Sequence, residues 1–254
     1  MPKRTFDLNC DLGEGEPIER TQDLLEYVTS VNIACGVHAG DIKTMRTIFR
    51  LAKANGVKIG AHPGLKGDFG RAIREVTSSE FELLLMQQLG TFDLLARDEK
   101  IVPHHIKLHG ALYHLTELNE ELRTIYIEIL KRFWPDKIIY AMAEGNVARD
   151  ASRKGLQVWA EGFLDRSYQS NGMLLPRDQP KAVLESPLEW QLRLNEFLID
   201  QVTAQHGRKI KLHCKTICLH GDSPFAISLA KLAIKKGFEM GIHYETRDCL
   251  KHLD

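Results

Sequence analysis

The chain has 254 residues, is 43% hydrophobic, and balances 34 basic against 34 acidic residues for a formal net charge of zero. That length and apolar content suffice for one large core, and no break in composition divides it, so a single domain over residues 1–254 is expected. The charge balance argues against a nucleic-acid surface, which needs a basic excess or stripe, and no stretch approaches the ~20 apolar residues of a membrane span.

The first residues, MPKRTFDLNC, pass from two basic residues directly into acids. Without the apolar run of a secretory signal, a cytoplasmic location is expected. A strand is predicted over 5–10, continuing a pattern that sets Phe6, Leu8, Cys10 and Leu12 on one face and Asp7, Asn9 and Asp11 on the other. The DLGEGE turn that follows is a poor phosphate loop because its acids would repel phosphate, and GxxxxGK[ST] occurs nowhere in the chain. A second strand over 31–35 leads through His38 to Asp41, which is placed to cap a helix over 42–55 that Gly56 ends. A third strand over 57–61 delivers His62, and Thr77-Ser78-Ser79-Glu80 opens a helix over 78–97 with a capping-box pattern. The fourth strand, over 104–108, sets His104, Ile106 and Leu108 against His105, Lys107 and His109, with Tyr113 shortly after. Strands over 137–141 and 157–161 come next, separated by a helix ending at Gly155. The second of these carries Glu161 towards Asp165, Arg166 and Tyr168. A seventh strand over 214–219 groups Thr216, Cys218 and His220, with Asp222 just beyond. An eighth is predicted over 238–242, after a helix ended by Gly237.

Repeated strand–helix units of this kind predict a parallel sheet, and their number suits a closed β/α barrel; an open doubly wound sheet is the competing architecture. Parallel strands buried on both faces usually read as continuous apolar runs, yet here one face is ionisable in strand after strand. The economical explanation is a barrel with an apolar exterior under its helices and a polar interior. Interior acids and histidines are costly to desolvate unless they pair, bind metal or meet a ligand, so a functional interior is expected. At the C-terminal mouth of such a barrel, residues far apart in sequence converge. Carboxylates and histidines there can move protons or hold a divalent ion, and Lys107 or Arg166 can bind a carboxylate or an oxyanion.

Other residues have plainer explanations. Asp41 reads as a helix cap, Asp165 and Arg166 as a possible structural ion pair, and His104, His206, His213 and His252 as surface or packing residues. Five scattered cysteines without a CxxC pair argue for reduced thiols rather than disulfides, with Cys10 and Cys35 in the core. No HExxH or comparable pair occurs, so a metal would have to be gathered across strands, with Asp11, His62 and His109 as the candidate ligands.

Taken in order, DLNCDLGEGE, NIACGVHAGD, GAHPG, KLHGALY, FLDRSYQSNGMLLPR and CLHGDSP resemble the signature blocks of the LamB/YcsF family of 5-oxoprolinase components, from residue 7 to about residue 225. The resemblance implies an α/β fold, a distorted β/α (TIM-like) barrel of the glycoside hydrolase/deacetylase type. It also implies ATP-dependent opening of 5-oxoproline to L-glutamate in complex with 5-oxoprolinase subunits B and C. Carried over by position, it marks Asp11, His62, Lys107, His109, Asp165 and His220 as catalytic. It marks Asp7, Asn9, Glu14, His38, Tyr113, Arg166 and Asp222 as substrate-binding. Asp11 or His62 would serve as general base, and Lys107 or Arg166 would hold the substrate carboxylate or phosphoryl oxygens. The chain departs from the family pattern at Glu16-Pro17 and Leu108, where an aromatic–glycine pair and a proline are usual, and in a shorter loop before Phe69-Gly70-Arg71. Two rival functions are carried forward: a stand-alone metal-dependent amide hydrolase or deacetylase, and a non-catalytic small-molecule-binding protein. The low aromatic content, 7%, weighs against the second because such sites favour aromatic platforms.

Overall fold

The structure, a computed structural model, describes residues 4–67, 70–71, 74–239 and 242–244. In chain order it contains β1 (Arg4–Leu12), α1 (Ile18–Leu25), β2 (Ser30–Ala34), α2 (Ile42–Ala54), β3 (Lys58–His62) and α3 (Ser78–Asp98). These are followed by β4 (His105–Lys107), α4 (Gly110–Leu118), α5 (Glu120–Phe133), β5 (Ile138–Met142), α6 (Asn146–Arg153) and β6 (Val158–Phe163). The remainder is α7 (Pro187–Leu198), β7 (Gln201–Thr203), β8 (Lys209–Lys211), β9 (Thr216–His220), α8 (Ala226–Glu239) and β10 (Ile242–Tyr244).

Strands β1 to β6 pair in sequence order, all parallel, β6 pairs with β9, and β9 returns to β1, so a seven-stranded barrel closes among the described residues. The open doubly wound alternative is thereby excluded. β10 runs beside only the first three residues of β1, Arg4 to Phe6, and takes no part in the ring that surrounds the mouth. The strand predicted over 238–242 therefore needs correction. Helix α8 runs through Gly237 to Glu239, because the segment AISLAKLAIKKGFE is rich in helix formers that one glycine does not outweigh, and pairing begins at Ile242. Met240 and Gly241 lie outside the described residues, as do Cys249, His252 and Phe69. A small antiparallel hairpin, β7–β8, had no counterpart in the predicted pattern.

Several helices begin where a side chain at the N-cap accepts from their free N–H groups. Asp41 accepts from the Thr44 amide at 2.7 Å, Thr77 from Glu80 at 3.2 Å, and Ser186 with Glu189 forms a full capping box ahead of Pro187. Each such cap is worth about 1 kcal/mol. The apolar faces then pack outward from the strands: Phe6, Leu8, Cys10 and Leu12 join Val31, Ile33, Phe49 and Phe92 in one continuous buried cluster, as the period-two reading of β1 expects. Cys10 and Cys35 are both part of that core. No helix among the described residues is long and apolar enough to cross a membrane.

Candidate active site

The inward faces of the strands build the barrel interior in tiers. At the bottom, Asp7 is fully buried and its two oxygens accept from four hydroxyls: Thr29 (2.7 Å), Ser30 (2.7 Å), Thr216 (2.6 Å) and Tyr140 (3.0 Å). One tier up, the Asn9 amide donates to Thr216 and Glu161 and accepts from Asn32, while the Asn32 oxygen accepts from His105 Nε2 at 2.7 Å. The His105 ring lies flat on Tyr140 at a centroid distance of 3.8 Å. Only glycine at position 60 leaves room for it, since a Cβ there would meet the imidazole at 2.2 Å. Asp7 and Asn9, predicted to bind substrate, thus spend their polar atoms on the protein itself.

Above this tier stands Asp11, 3% exposed. Its Oδ1 accepts from Lys107 Nζ (2.8 Å) and Asn32 (2.7 Å), and its Oδ2 faces His62 Nε2 at 3.3 Å and His220 Nε2 at 3.9 Å. Burial alone would raise this carboxyl, but the opposing Lys107 and His62 hold it well below the usual range, so Asp11 is ionised. Lys107 in turn contacts Asp11, Cys218 Sγ (3.0 Å) and Glu161 (3.0 Å). Against the pull of burial, these partners raise its pKa well above normal. The ammonium thus has three partners within the protein and is the nearest positive charge to Asp11.

At the top, the Glu14 carboxylate gathers three imidazoles. Its Oε1 lies 3.2 Å from His38 Nε2, 3.2 Å from His109 Nε2 and 3.7 Å from His62 Nε2. His38 and His109 stack in parallel, with centroids 4.0 Å apart. Gly64 permits this, because a Cβ would strike His38 Nδ1 at 2.5 Å. Burial lowers the pKa of His38 against the counter-pull of Glu14, and burial followed by the neighbouring His62 and His38 lowers that of His109 further, so both rings are neutral near neutral pH. His62 Nδ1 lies 2.8 Å from the Lys107 carbonyl. A carbonyl only accepts, so Nδ1 carries a proton, and Nε2 faces Asp11 and Glu14. No hydrogen bond satisfies that buried Nε2.

On the other side of Asp11 a second arrangement opens to solvent. His220 Nδ1 donates to Asp165 (2.9 Å), and the His220 backbone amide donates to the same carboxylate at 3.1 Å. Burial pushes Asp165 up, but His220 outweighs it and keeps the carboxyl below its ordinary value. His220 forms one wall of a cleft of about 210 Å³ that is also lined by Asp165, Arg166, Arg177 and Asp222. The predicted Asp165–Arg166 pair does not describe this geometry: Arg166 donates instead to the carbonyls of Leu175 (2.6 Å) and Ala182 (3.3 Å), and burial together with Arg177 lowers it to about 10. Asp222 receives Arg71 at 2.5 Å and Arg177 at 3.5 Å, and Arg71 also reaches Glu14 Oε2 at 3.7 Å, joining the cleft to the histidine cluster. Tyr113 is buried beside Glu161; burial and then that carboxylate raise its phenol, yet neither Tyr113 Oη nor Glu161 Oε2 makes a hydrogen bond.

The predicted metal residues fall in two neighbouring groups, joined where Asp11 Oδ2 lies 3.3 Å from His62 Nε2. Glu14, His62 and His109 place donor atoms within 4.8 Å of one another, while Asp11 groups with Cys218 and His220. The sequence reading overlooked Arg71 and Arg177, which sit outside the strands where no periodicity marks them. It also passed over Asn32, although Asn32 pairs in register with Asp11 and so shares its inward face.

With this geometry in hand, the likenesses to known proteins are informative. The A component of 5-oxoprolinase from Bacillus subtilis is 38% identical over 243 residues, covering 93% of this chain and 95% of that protein. Its counterpart from Pyrococcus horikoshii matches to the same extent. Among solved structures, a lactam utilization protein from Thermus thermophilus superimposes with a TM-score of 0.85 at 29% identity, covering 94% of this chain and 98% of that one. A deacetylase solved with substrate shares the fold alone, at a TM-score of 0.50 and 15% identity. The profile of the LamB/YcsF family matches residues 6–248, and the chain belongs to that family.

Proposed function

We propose that this chain is the ring-opening component of an ATP-driven 5-oxoprolinase, hydrolysing 5-oxoproline to L-glutamate together with partner subunits B and C. The observation that carries the reading is the placement of an Asp165-oriented His220, 3.9 Å from an ionised Asp11, at one wall of an arginine-lined cleft. With its Nδ1 proton held towards Asp165, a neutral His220 would accept a second proton at Nε2. This assigns the general base to His220 assisted by Asp11, in place of the Asp11-or-His62 choice left open by the sequence. A water held against His220 Nε2 and Asp11 Oδ2 gives its proton to the imidazole as its oxygen adds to C5 of the lactam. Arg177, about one-third exposed in the cleft and 3.5 Å from Asp222, is the cation this reading assigns to the substrate carboxylate.

A five-membered lactam is a poor electrophile, and ATP answers that difficulty. With a phosphoryl group on the amide oxygen, water addition is followed by cleavage of the C–N bond, and the ring nitrogen takes the proton from His220. The resulting acyl phosphate is hydrolysed to glutamate and phosphate. The reading assigns ATP to the partner subunits. In its support, this chain has no P-loop, and the amides of Gly13 and Glu14 in its glycine-rich turn already donate to Glu16 at 2.6 and 2.9 Å.

The test follows ADP and glutamate in one tube, omitting each component in turn. This chain alone should form neither product, the full mixture both, and His220→Ala should stop glutamate formation in the full mixture. Glutamate formed by this chain without nucleotide would sink the reading. That result would favour the second one, a stand-alone metal-assisted amide hydrolase, which the convergence of His62 and His109 on Glu14 recommends.

A further inference from the structure

We propose that Glu14, His62 and His109 bind one divalent cation of the zinc class at the centre of the barrel mouth, beside Asp11. The inference is independent of the lactam reading and rests on three features of the cluster. First, the donor spacing is that of ligands around an ion. Bonds of about 2.0–2.1 Å at tetrahedral angles put ligand atoms about 3.3–3.4 Å apart. Glu14 Oε1 and His109 Nε2 are 3.2 Å apart, Glu14 Oε1 and His62 Nε2 3.7 Å, and Asp11 Oδ2 and His62 Nε2 3.3 Å.

Second, His62 aims its Nε2 into the cluster. Its Nδ1–H is committed to the Lys107 carbonyl, an outer contact of the kind that fixes a ligating imidazole. The side chain is 1% exposed, and its Nε2 has no hydrogen bond and faces two carboxylate oxygens. Such an electron-rich concavity is costly unless a cation occupies it.

Third, the alternative cluster is already taken. Asp11, Cys218 and His220 also lie within ligand range, but the Lys107 ammonium sits 2.8 Å from Asp11 and 3.0 Å from Cys218, where a second cation would be repelled. Glu14 by contrast meets only Arg71, on its outer oxygen at 3.7 Å, leaving Oε1 to the histidines. His38, stacked on His109 and hydrogen-bonded to Glu14, then acts as a support for the ligand set.

Chelator-stripped protein should be titrated with Zn²⁺ by calorimetry and with Co²⁺ by visible absorption. One ion per chain is expected, with the intense visible bands of low-coordinate Co²⁺. Glu14→Gln, His62→Ala and His109→Ala should each weaken binding by about ten-fold or more, and Cys218→Ser should leave it intact. Circular dichroism of each variant guards against misfolding, and Glu14→Gln, nearly isosteric, is decisive if the histidine variants do not fold. Absence of binding by both ions overturns the proposal, as does a site that survives Glu14→Gln or that is lost in Cys218→Ser. Glutamate formation by the reconstituted mixture is scored separately. A chain that binds neither ion yet supports it would sink this inference alone, and a metal-binding chain that never supports it would sink the lactam reading alone.

Discussion

The two ends of the barrel interior are made from the same residue types and behave in opposite ways. At the bottom, Asp7, Asn9, Asn32 and His105 form a closed network in which the acid and the amides find partners within the protein. At the mouth, Asp11, Glu14 and the histidines approach one another as closely, yet His38 Nδ1, His62 Nε2 and His109 Nδ1 have no hydrogen bond. The buried acid at the bottom is saturated by hydroxyls of the protein, and the one two inward positions higher is the acid to which the proposed chemistry is assigned. What separates Asp7 from Asp11 is depth: four residues along a strand is about 13 Å, enough to pass from a dry floor to a mouth.

The largest expected effect breaks this comparison most directly. Asp7→Asn replaces an oxygen that accepts three hydroxyls with an amide nitrogen that can only donate, leaving buried donors facing a donor. A loss of about 2–4 kcal/mol in urea denaturation is expected. Asp11→Asn keeps an acceptor for Lys107 and Asn32, and Glu161 stays paired with the ammonium. It should cost less stability than Asp7→Asn while cutting turnover of the reconstituted enzyme by about 10²–10⁴-fold. If Asp7→Asn proves stable but inactive, or Asp11→Asn unfolded, the division between floor and mouth is wrong.

Part of this division was legible from the sequence. Alternation along β1, β4 and β9 correctly separated core from interior, so Phe6, Leu8 and Cys10 fell in the apolar cluster and Asp7, Asn9 and Asp11 inside the barrel. Capping chemistry placed the starts of α2 and α3, because an Asp or Thr side chain reaching an amide three residues on is a local event. Period two, however, says which face a residue takes and nothing of its height, so Asp7 and Asp11 looked alike. Partner choice was equally hidden: that Lys107 meets Asp11, Cys218 and Glu161 depends on three strands whose order the sequence does not state. The end of α8 was missed because a glycine that could have stopped the helix is carried within it.

An intermediate effect concerns the link between His220 and Asp165. Asp165→Asn should lower turnover by about ten-fold or more, since the amide can no longer hold the imidazole proton on Nδ1 with a full charge. It should also change the pH dependence of stability. The folded pKa of Asp165 lies below the unfolded value of about 3.9, so its contribution is fully present above that value and is lost as pH falls through the folded pKa. The stability gap between wild type and Asp165→Asn should therefore shrink as pH falls below about 4. A gap that widens below about pH 4 would show that Asp165 is already protonated in the native state and does not serve His220 as an ionic partner.

The smallest effect sharpens the comparison by making the same change at both levels. Tyr140 and Tyr113 are each buried, at 1% and 6% exposure, and each has its phenol raised by burial beside a carboxylate. The Tyr140 hydroxyl donates to Asp7 at 3.0 Å, so it belongs to the floor, whereas the Tyr113 hydroxyl makes no hydrogen bond. Removing a donor from a satisfied buried network leaves an acceptor short, and Tyr140→Phe should cost about 1–2 kcal/mol. Removing a hydroxyl that has no partner leaves nothing newly unpaired, and it relieves the desolvation of that hydroxyl beside the unpartnered Glu161 Oε2. Tyr113→Phe should therefore change stability by less than about 0.5 kcal/mol, or raise it. Matched chemical denaturation of the two variants decides the matter, and equal losses would mean that Tyr113 is as firmly bonded as Tyr140. A Tyr113→Phe protein of unchanged stability whose KM in the reconstituted assay rises would place that hydroxyl on the substrate, as the family blocks implied.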